Sequence, residues 1–276
     1  NDYVENNINS FNESNLSNYY INQRGSDVED YFALTPSEKK DYIHYPLTQY
    51  ISELFFNKGE EQIALLGNFG TGKTSFCHKL TNELFLKYKA DPKNRIQVLI
   101  SLKDYRAGID IEQLIVSQLQ KQQGIDIDHR LFRELQKMGR FIFILDGLDE
   151  MATKVDRIVI NENLREISRL KESGDNIYLI TCRTHFFQDR ITDEFLIDYQ
   201  VIYLTDWGRT ELEEYIKKRF PKKWNKIFNQ IITKITLEEL AKTPMLLEMI
   251  VKSLSKLPND EELNNRYLYK TYTNDW

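Results

Sequence analysis

One glycine-rich stretch constrains the fold of this chain more than any other part of it. Residues 63–75 read IALLGNFGTGKTS, with an apolar segment before the glycines and an amphipathic helical pattern after them. The stretch fits the pattern G-x-x-x-x-G-K-[ST] at every fixed position, and a strand before it and a helix after it are the context in which that pattern forms a phosphate-binding loop. The sequence therefore predicts such a loop. The alternative is a glycine-rich turn with a surface lysine.

Each residue type in this loop has a physical reason to be there. Gly67, Gly70 and Gly72 are predicted to take positive φ angles and to let the backbone approach a ligand, because no Cβ is in the way. The loop N–H groups and the helix N-terminus then attract an anion. Lys73 adds a charge for β- and γ-phosphates, and the Thr74 hydroxyl is a predicted Mg²⁺ ligand. The predicted ligand-binding residues of the loop are Gly67, Asn68, Phe69, Gly70, Thr71, Gly72, Lys73, Thr74 and Ser75.

Composition and charge exclude several classes of protein. The 276 residues are 41% hydrophobic and carry a net charge of −5, so the chain is globular and has no overall positive field for nucleic acid or an anionic membrane. Cys77 and Cys182 suit a reducing compartment, here the cytoplasm, and form neither a disulfide framework nor a metal-ligand pattern. The longest apolar run, residues 141–145, is far too short to span a membrane. Because the chain begins with Asn1 rather than Met, we expect an excised piece of a longer protein.

Predicted strands and helices alternate through the middle of the chain. Apolar runs at residues 63–66, 96–102, 141–145, 177–181 and 201–204 predict five strands. Helical patterns lie between them, and this alternation is typical of an α/β fold whose parallel sheet is covered on both faces.

The same patterns divide the chain into three parts. Residues 1–34 are rich in Asn and Ser without a sustained period, so we interpret them as a linker or irregular N-terminal arm. Residues 35–205 are the predicted nucleotide-binding domain, which opens on a helix-capping pattern from Thr35 to Glu38. Residues 206–276 show only helical periods and predict a small all-α domain.

Acidic residues follow the third predicted strand. Asp146, at the tip of a buried strand, lies beside the crevice in which an α/β sheet binds ligands, and is the predicted Mg²⁺-side carboxylate. Asp149 and Glu150 are candidates to orient or deprotonate an attacking water; the alternative is that they cap the next segment.

Arg183, after the fourth strand, is a candidate γ-phosphate contact, and the alternative is a salt bridge to Asp149 or Glu150. His185 is more typical of a structural histidine.

Residues 153–156, Thr-Lys-Val-Asp, fit the pattern [NT]-K-x-D, with which GTPases recognise guanine. That motif belongs after a hydrophobic strand of its own, whereas this segment begins three positions after Glu150 with no strand between. The segment from Asp146 to Asp149 also lacks the glycine of the GTPase D-x-x-G. The sequence therefore favours adenine over guanine.

Four fragments together resemble the NACHT branch of the STAND signalling ATPases: GNFGTGKTS, FIFILDGLDE, LITCRTHFF and TPMLL. Their order and spacing cover residues 42–276. The resemblance implies a P-loop NTPase with a parallel five-stranded sheet in the order 5-1-4-3-2. It also implies that Asp149 and Glu150 match the doubled acidic tail of the family, and that Arg183 matches its sensor arginine.

The resemblance further implies contacts to the adenine base. Pro244 matches the proline of the helical motif, which packs near adenine, and Tyr45, Pro46 and Leu47 resemble the segment on the other side of the base. The winged-helix domain, the ligand-sensing repeats and the effector domain of the family have no counterpart in this sequence. We therefore expect the switch module alone, truncated before the winged helix.

Two functions from different classes are consistent with the sequence. The first is an ATP/ADP-binding switch and slow Mg²⁺-dependent ATPase, which controls oligomerisation in an intracellular sensor of bacterial antiviral defence or related innate immunity. The second is a constitutive ATPase motor or remodeller acting on nucleic acid or protein. Gly147, where fast motors carry an acid next to the aspartate, and the negative net charge argue against the second. The expected partners are an adenine nucleotide and other copies of the module, with no direct nucleic-acid binding and no membrane contact.

Overall fold

The computed structural model of the chain describes residues 2–30, 35, 42–58, 61–105, 110–123, 128–152, 157–186 and 198–254. Three sequence-based predictions lie outside these residues: the capping pattern after Thr35, the Thr-Lys-Val-Asp segment at 153–156, and the amphipathic pattern beyond residue 254. In the ranges that the structure describes, every helix is too short or too polar to cross a membrane.

A mostly parallel sheet lies at the centre of the molecule and confirms the predicted α/β fold. In the described residues its strands are β1 (Gly25–Ser26), β2 (Ile43–His44), β3 (Gln62–Leu66), β4 (Ile96–Ser101), β5 (Phe141–Asp146), β6 (Ile177–Cys182) and β7 (Gln200–Leu204). Their spatial order is β2-β1-β7-β3-β6-β5-β4. Strands β3 to β7 are parallel to one another, whereas β1 pairs antiparallel with both β2 and β7.

The predicted sheet of five strands in the order 5-1-4-3-2 is wrong for the complete sheet, which has seven strands in the described residues. The difference comes from β1 and β2, which extend the sheet beyond β7 through the pairing of Gly25 with Leu204. A two-residue strand carries no period that a sequence pattern can reveal, and its pairing partner is distant in the chain. The mutually parallel strands within this order run β7-β3-β6-β5-β4.

Helices cover both faces of this sheet, and further helices follow β7. They are α1 (Asp2–Glu13), α2 (Asn15–Tyr19), α3 (Leu47–Glu53), α4 (Lys73–Ala90), α5 (Ile111–Gln123), α6 (His129–Lys137), α7 (Leu148–Ala152), α8 (Arg157–Glu172), α9 (Arg209–Arg219), α10 (Trp224–Ile232), α11 (Ile235–Ala241) and α12 (Pro244–Ser253). In β5, Phe143 faces a core shared with α5, α6 and α8, whereas Ile144 faces the core shared with α3 and α4. Burial on both faces explains the unbroken apolar run in β5.

The first residues are helical, so the predicted linker or irregular arm is corrected for residues 2–19. Val4 and Ile8 of α1 are buried against Phe85 of α4. The Tyr3 hydroxyl donates to the backbone oxygen of Gln97 in β4 at 3.1 Å. The apolar face of α1 is only a few residues wide among Asn and Ser, which is why the helical period is weak in the sequence.

Helices α9 to α12 form a small bundle with a core of its own. Its buried side chains include Leu212, Ile216, Ile231, Leu247 and Ile250. Ile21 and Trp207 are buried in the same core, so the N-terminal segment and the link after β7 both join the bundle. The bundle lies where the sequence predicts a helical domain, and the extent of that domain to residue 276 stays a prediction.

Candidate functional site

The glycine-rich loop lies between β3, which ends at Leu66, and α4, which begins at Lys73. Gly70 and Gly72 have φ angles of 79° and 98°, in the left-handed region that side chains with a Cβ rarely adopt. Gly67 differs from the prediction, because its φ is not positive; a Cβ there would lie 3.0 Å from Thr71 Oγ1. Gly67 is therefore required for close packing and the other two for backbone conformation.

Lys73 is held against the inner side of the loop. Its Nζ donates to the backbone oxygens of Gly67 at 2.7 Å and Asn68 at 3.1 Å. Burial lowers the pKa of Lys73, and the nearby carboxylates of Asp149 and Asp146 oppose that shift. The loop thus presents a desolvated ammonium group, flanked by N–H groups at the start of α4, to whatever anion lies there.

A hydrogen-bond chain joins the start of α4 to the tip of β5. Thr74 Oγ1 donates to Asp146 Oδ2 at 2.7 Å, and Thr181 Oγ1 donates to Asp146 Oδ1 at 2.6 Å. The backbone N–H of Gly147 donates to Thr181 Oγ1 at 2.9 Å. A hydroxyl and a carboxylate side by side are hard oxygen donors of the kind that Mg²⁺ prefers, so the donor set fits this ion.

Sequence reasoning missed Thr181. Strands β5 and β6 pair Leu145 with Ile180, which places Thr181 beside Asp146 at the same edge of the sheet. The signal that could have identified Thr181 is a polar residue near the end of an apolar strand, in the segment Ile-Thr-Cys-Arg.

Asp149 and Arg183 form an ion pair, which was the alternative interpretation of Arg183. Arg183 Nε lies 2.7 Å from Asp149 Oδ2, and the Arg183 backbone N–H donates to Asp149 Oδ1 at 3.1 Å. The Asp149 residue is only 3% exposed, so both of its oxygens are engaged in the interior. The Arg183 guanidinium lies 4.9 Å from the centre of the exposed Phe69 ring. Glu150, which follows Asp149 in the sequence, is half-buried and lines the cavity described in the next paragraph.

A cavity of about 610 Å³ begins at the loop and extends to the helical bundle. The loop and strand-end residues on its wall are Phe69, Gly70, Gly72, Lys73, Thr74, Ser75, Asp146, Gly147, Asp149, Glu150, Thr181 and Arg183. Pro244 and Met245, at the start of α12, form part of the opposite wall. The Met245 backbone N–H donates to the backbone oxygen of Gly70 at 3.3 Å, so the bundle touches the glycine-rich loop directly. The remaining loop residues, Gly67, Asn68 and Thr71, line a smaller hollow with His185.

Residues 15–24, which we call the N-terminal strap, occupy the wall that was predicted for Tyr45, Pro46 and Leu47. Those three residues do not line the cavity. Leu47 is fully buried in the core beneath the sheet, and Tyr45 is 52% exposed elsewhere. Tyr19, Tyr20 and Gln23 of the strap line the cavity instead.

The strap brings buried polar atoms to the cavity wall. Gln23 Nε2 donates to the backbone oxygen of Gly72 at 3.4 Å. Tyr20 Oη, Gln23 Oε1 and Trp207 Nε1 are buried and have no hydrogen-bond partner among the described residues. Burial raises the pKa of Tyr20, so its hydroxyl is a neutral donor. Such atoms are costly unless a ligand or water pairs with them, so this wall suits a polar ligand. No ligand contact was predicted from the sequence for the strap residues.

Comparison with known protein families identifies this architecture. The model of the NACHT domain matches residues 61–223. The chain belongs to the NACHT family. Membership supports nucleotide binding by a P-loop NTPase domain, and the matched range includes the glycine-rich loop, Asp146, Asp149, Glu150 and Arg183.

A much longer protein is similar to most of this chain. The NACHT chain is 26% identical over 240 residues to an uncharacterized WD repeat-containing protein of Nostoc sp.. The match covers 80% of this chain but 16% of that protein, so the chain corresponds to a small part of its relative.

Three solved structures are similar to this chain at low sequence identity. DnaA from Aquifex aeolicus bound to AMPPCP has 17% identity and a TM-score of 0.49, over 87% of this chain and 68% of that one. Domain III of the replication initiation protein DnaA from Thermotoga maritima has 12% identity and a TM-score of 0.44, over 88% and 94%. PCH-2 from C. elegans has 15% identity and a TM-score of 0.40, over 82% and 63%.

Proposed function

We propose that this NACHT domain is an ATP/ADP-binding switch module that hydrolyses ATP slowly with Mg²⁺. One observation carries the proposal: a single cavity is walled by the glycine-rich loop and acidic strand end on one side and by the helical bundle and the N-terminal strap on the other. A nucleotide held there would contact separate elements of the chain at once, so its chemical state would bias how those elements are arranged.

The phosphates would bind at the N-terminus of α4. The N–H groups of residues 70–75 and the Lys73 ammonium supply the favourable charge, and the carbonyl contacts that Lys73 makes in this structure would be exchanged for phosphate oxygens. Thr74 and Asp146 would hold Mg²⁺, which supplies charge neutralisation at the β- and γ-phosphates when bound.

The two acidic residues after β5 would have different tasks. Asp149 is buried and fixes the Arg183 backbone and guanidinium, so we assign it a positioning role. Both residues line the cavity, but Glu150 is the less buried of the two and is the better candidate to orient or deprotonate the attacking water. Arg183 is 40% exposed at its side chain and lies at the cavity edge, where a γ-phosphate would compete with Asp149 for it.

The adenine would lie on the side of the cavity that the strap and the bundle form. Pro244 lines that region together with the strap, and the unpaired Gln23 and Trp207 atoms offer one acceptor and one donor. A base that carries both an amino group and ring acceptors suits this pair. Tyr45, Pro46 and Leu47 take no part in this proposal.

The regulatory role is proposed from the family resemblance. ADP would hold a closed form through both the sheet and the bundle, and exchange to ATP would release a surface for self-association in the parent protein. The WD-repeat relative supports a parent in which this module is joined to repeats. A role as an intracellular sensor in antiviral defence or related immunity is the corresponding proposal for that parent.

Turnover and nucleotide retention test the switch against a constitutive motor. We expect purified protein to retain ADP, identified by mass spectrometry after denaturation. Steady-state hydrolysis should lie well below about 1 s⁻¹, the low end of ordinary enzyme turnover. Sustained faster hydrolysis without retained ADP would contradict the switch and favour the motor. Failure to bind any adenine nucleotide would contradict both.

A further inference from the structure

A second cavity lies beside the middle of α4, whereas the first cavity lies beside the N-terminal end of that helix. It has a volume of about 440 Å³ and is walled by α1, α4, β4 and α5. This volume is within the range of small-molecule sites. Helix α1 forms its outer wall, and that helix is fixed by the Tyr3 hydroxyl on β4 and by Val4 and Ile8 on α4. The cavity therefore belongs to the packed body of the molecule.

Buried polar side chains line this cavity or lie next to it, and some of their atoms lack partners among the described residues. Thr81 and Asn82 of α4 line it and are only 5% and 6% exposed. Thr81 Oγ1 and Asn82 Oδ1 have no hydrogen-bond partner among the described residues. Gln97, fully buried on the same face of β4 as the cavity-lining Leu99, also has both amide atoms unpaired among those residues. A buried polar atom destabilises a fold unless something pairs with it, so this concentration of unpaired atoms points to an occupant.

The chemistry of the wall restricts that occupant. The described residues that line the cavity include no Lys, Arg, Asp or Glu. Burial lowers the pKa of His78, against the opposing effect of Asp146, so the imidazole on this wall is neutral near pH 7. The rings of Phe11 in α1 and Phe85 in α4 also line the cavity and supply apolar surface. Nothing in this set favours a charged ligand, and an aromatic ring with polar edges fits both halves of the wall.

We propose that this second cavity binds a small uncharged molecule with a planar ring and N–H or O–H donors at its edge, of the class of nucleobases and nucleosides. Asn82 Oδ1 accepts from an amino or hydroxyl group of the ligand, Thr81 pairs with a second polar atom, and Phe11 covers the ring. The site is separate from the nucleotide cavity and does not depend on the function proposed above.

The position of the site couples it to the glycine-rich loop. Helix α4 begins with Lys73 and Thr74 and carries Thr81 and Asn82 two turns later. Leu16 of the strap lines both cavities, so one side chain separates them. A ligand that fixes Leu16 and α4 changes the affinity of the first cavity for ADP, and ADP changes the affinity for that ligand by the same factor.

The test titrates adenosine, guanosine, cytidine and uridine into the chain by isothermal calorimetry, with and without excess ADP and Mg²⁺. We expect at least one nucleoside to bind saturably in both conditions and also in Lys73→Ala, which lacks the phosphate-loop cation. Asn82→Leu should weaken that binding by about tenfold or more, the effect of one lost buried hydrogen bond.

Phe11→Leu provides a second variant at a half-exposed position, in case Asn82→Leu does not fold. Phe56→Leu is its matched control, because both rings lie under a lysine of α4, Lys79 and Lys87 respectively, and Phe56 lies outside the cavity. Phe11→Leu should weaken nucleoside binding, and Phe56→Leu should leave nucleoside binding unchanged. The proposal is overturned if none of the four nucleosides binds, if excess ADP abolishes binding, or if Phe11→Leu and the folded Asn82→Leu bind like wild type. Because the titrations without ADP test the second cavity by themselves, failure here is distinguishable from failure of the proposed switch.

Discussion

Lys73 is the side chain on which phosphate binding should depend most. Its Nζ lies at the inner face of the loop, and no other lysine or arginine of the described chain is within that loop. We expect Lys73→Ala to weaken ADP binding by about 10- to 100-fold, the range for a hydrogen bond to a charged group. A fluorescent-nucleotide titration measures this. Lys87→Ala, on the same helix but away from the loop, is the matched control, and equal affinity in both variants would contradict the assignment.

Asp149 and Glu150 are adjacent in sequence but differ in environment, and this predicts different phenotypes. Asp149→Asn should destabilise the fold by about 1–3 kcal/mol, because the buried acceptor for Arg183 is changed. Glu150→Gln should leave the melting temperature and ADP affinity unchanged and slow single-turnover hydrolysis by about 10²-fold or more. Thermal unfolding and single-turnover assays distinguish them. A stable Asp149→Asn variant that alone loses hydrolysis would reverse the two roles.

His78 predicts a pH dependence of stability. Burial lowers its pKa in the folded chain below the usual value, with Asp146 acting in the opposite direction. The unfolded chain then binds more protons than the folded chain as pH falls through about 6.5, the ordinary histidine pKa. The contribution of neutral His78 is therefore complete above that pH and is lost toward the folded-state pKa. Urea unfolding at several pH values should show this slope, and His78→Gln should flatten it; an unchanged slope would contradict the prediction.

At the scale of elements, the sequence predicted what depends on local pattern. The loop between β3 and α4 and the strand β5 were predictable, because a motif and an apolar run specify them within a few residues. The strands β1 and β2 were not, since each has two residues and pairs with a distant segment. The resemblance assigned Tyr45, Pro46 and Leu47 to adenine, whereas the cavity beside the loop is lined by strap residues such as Tyr20 and Gln23. Their placement depends on tertiary contacts such as that of Gln23 with Gly72.

Helix α1 gives an element-scale prediction. Ile8 is 6% exposed and packs on Phe85, although the sequence suggested an irregular arm. Ile8→Ala should lower the free energy of unfolding by about 2 kcal/mol or more, as for other buried large-to-small changes. Asn9→Ala, at the next, exposed position of the same helix, is the control. Denaturant unfolding of both variants provides the comparison, and equal stability would mean that α1 is not docked as described.

For the whole molecule, the central feature is that the sheet, the bundle and the strap meet at one cavity. Arg24 of the strap pairs with Glu211 of α9 at 2.7 Å, and Lys218 Nζ donates to the backbone oxygen of Tyr20 at 2.8 Å. The Thr205 backbone N–H donates to the backbone oxygen of Arg24 at 3.1 Å, which ties the strap to the end of β7. Any movement of the bundle relative to the sheet therefore changes the strap.

Pro244 tests whether the bundle contacts the base. Pro244→Ala should weaken ADP binding by about fivefold, because roughly 1 kcal/mol of apolar contact is removed. The same change should leave the affinity for pyrophosphate unchanged. Competition titrations with the two ligands measure the difference. Pro221→Ala, at an exposed position of the same bundle, is the matched control. Equal loss for ADP and pyrophosphate would show that Pro244 acts on the loop rather than on the base.

A crystal structure of this chain with ADP and Mg²⁺ tests the account most directly. We predict diphosphate density at the start of α4 against Lys73, a metal peak between Thr74 and Asp146, and base density between the strap and Pro244. An unliganded loop in crystals that contain the nucleotide, or nucleotide density at another site, would contradict the account.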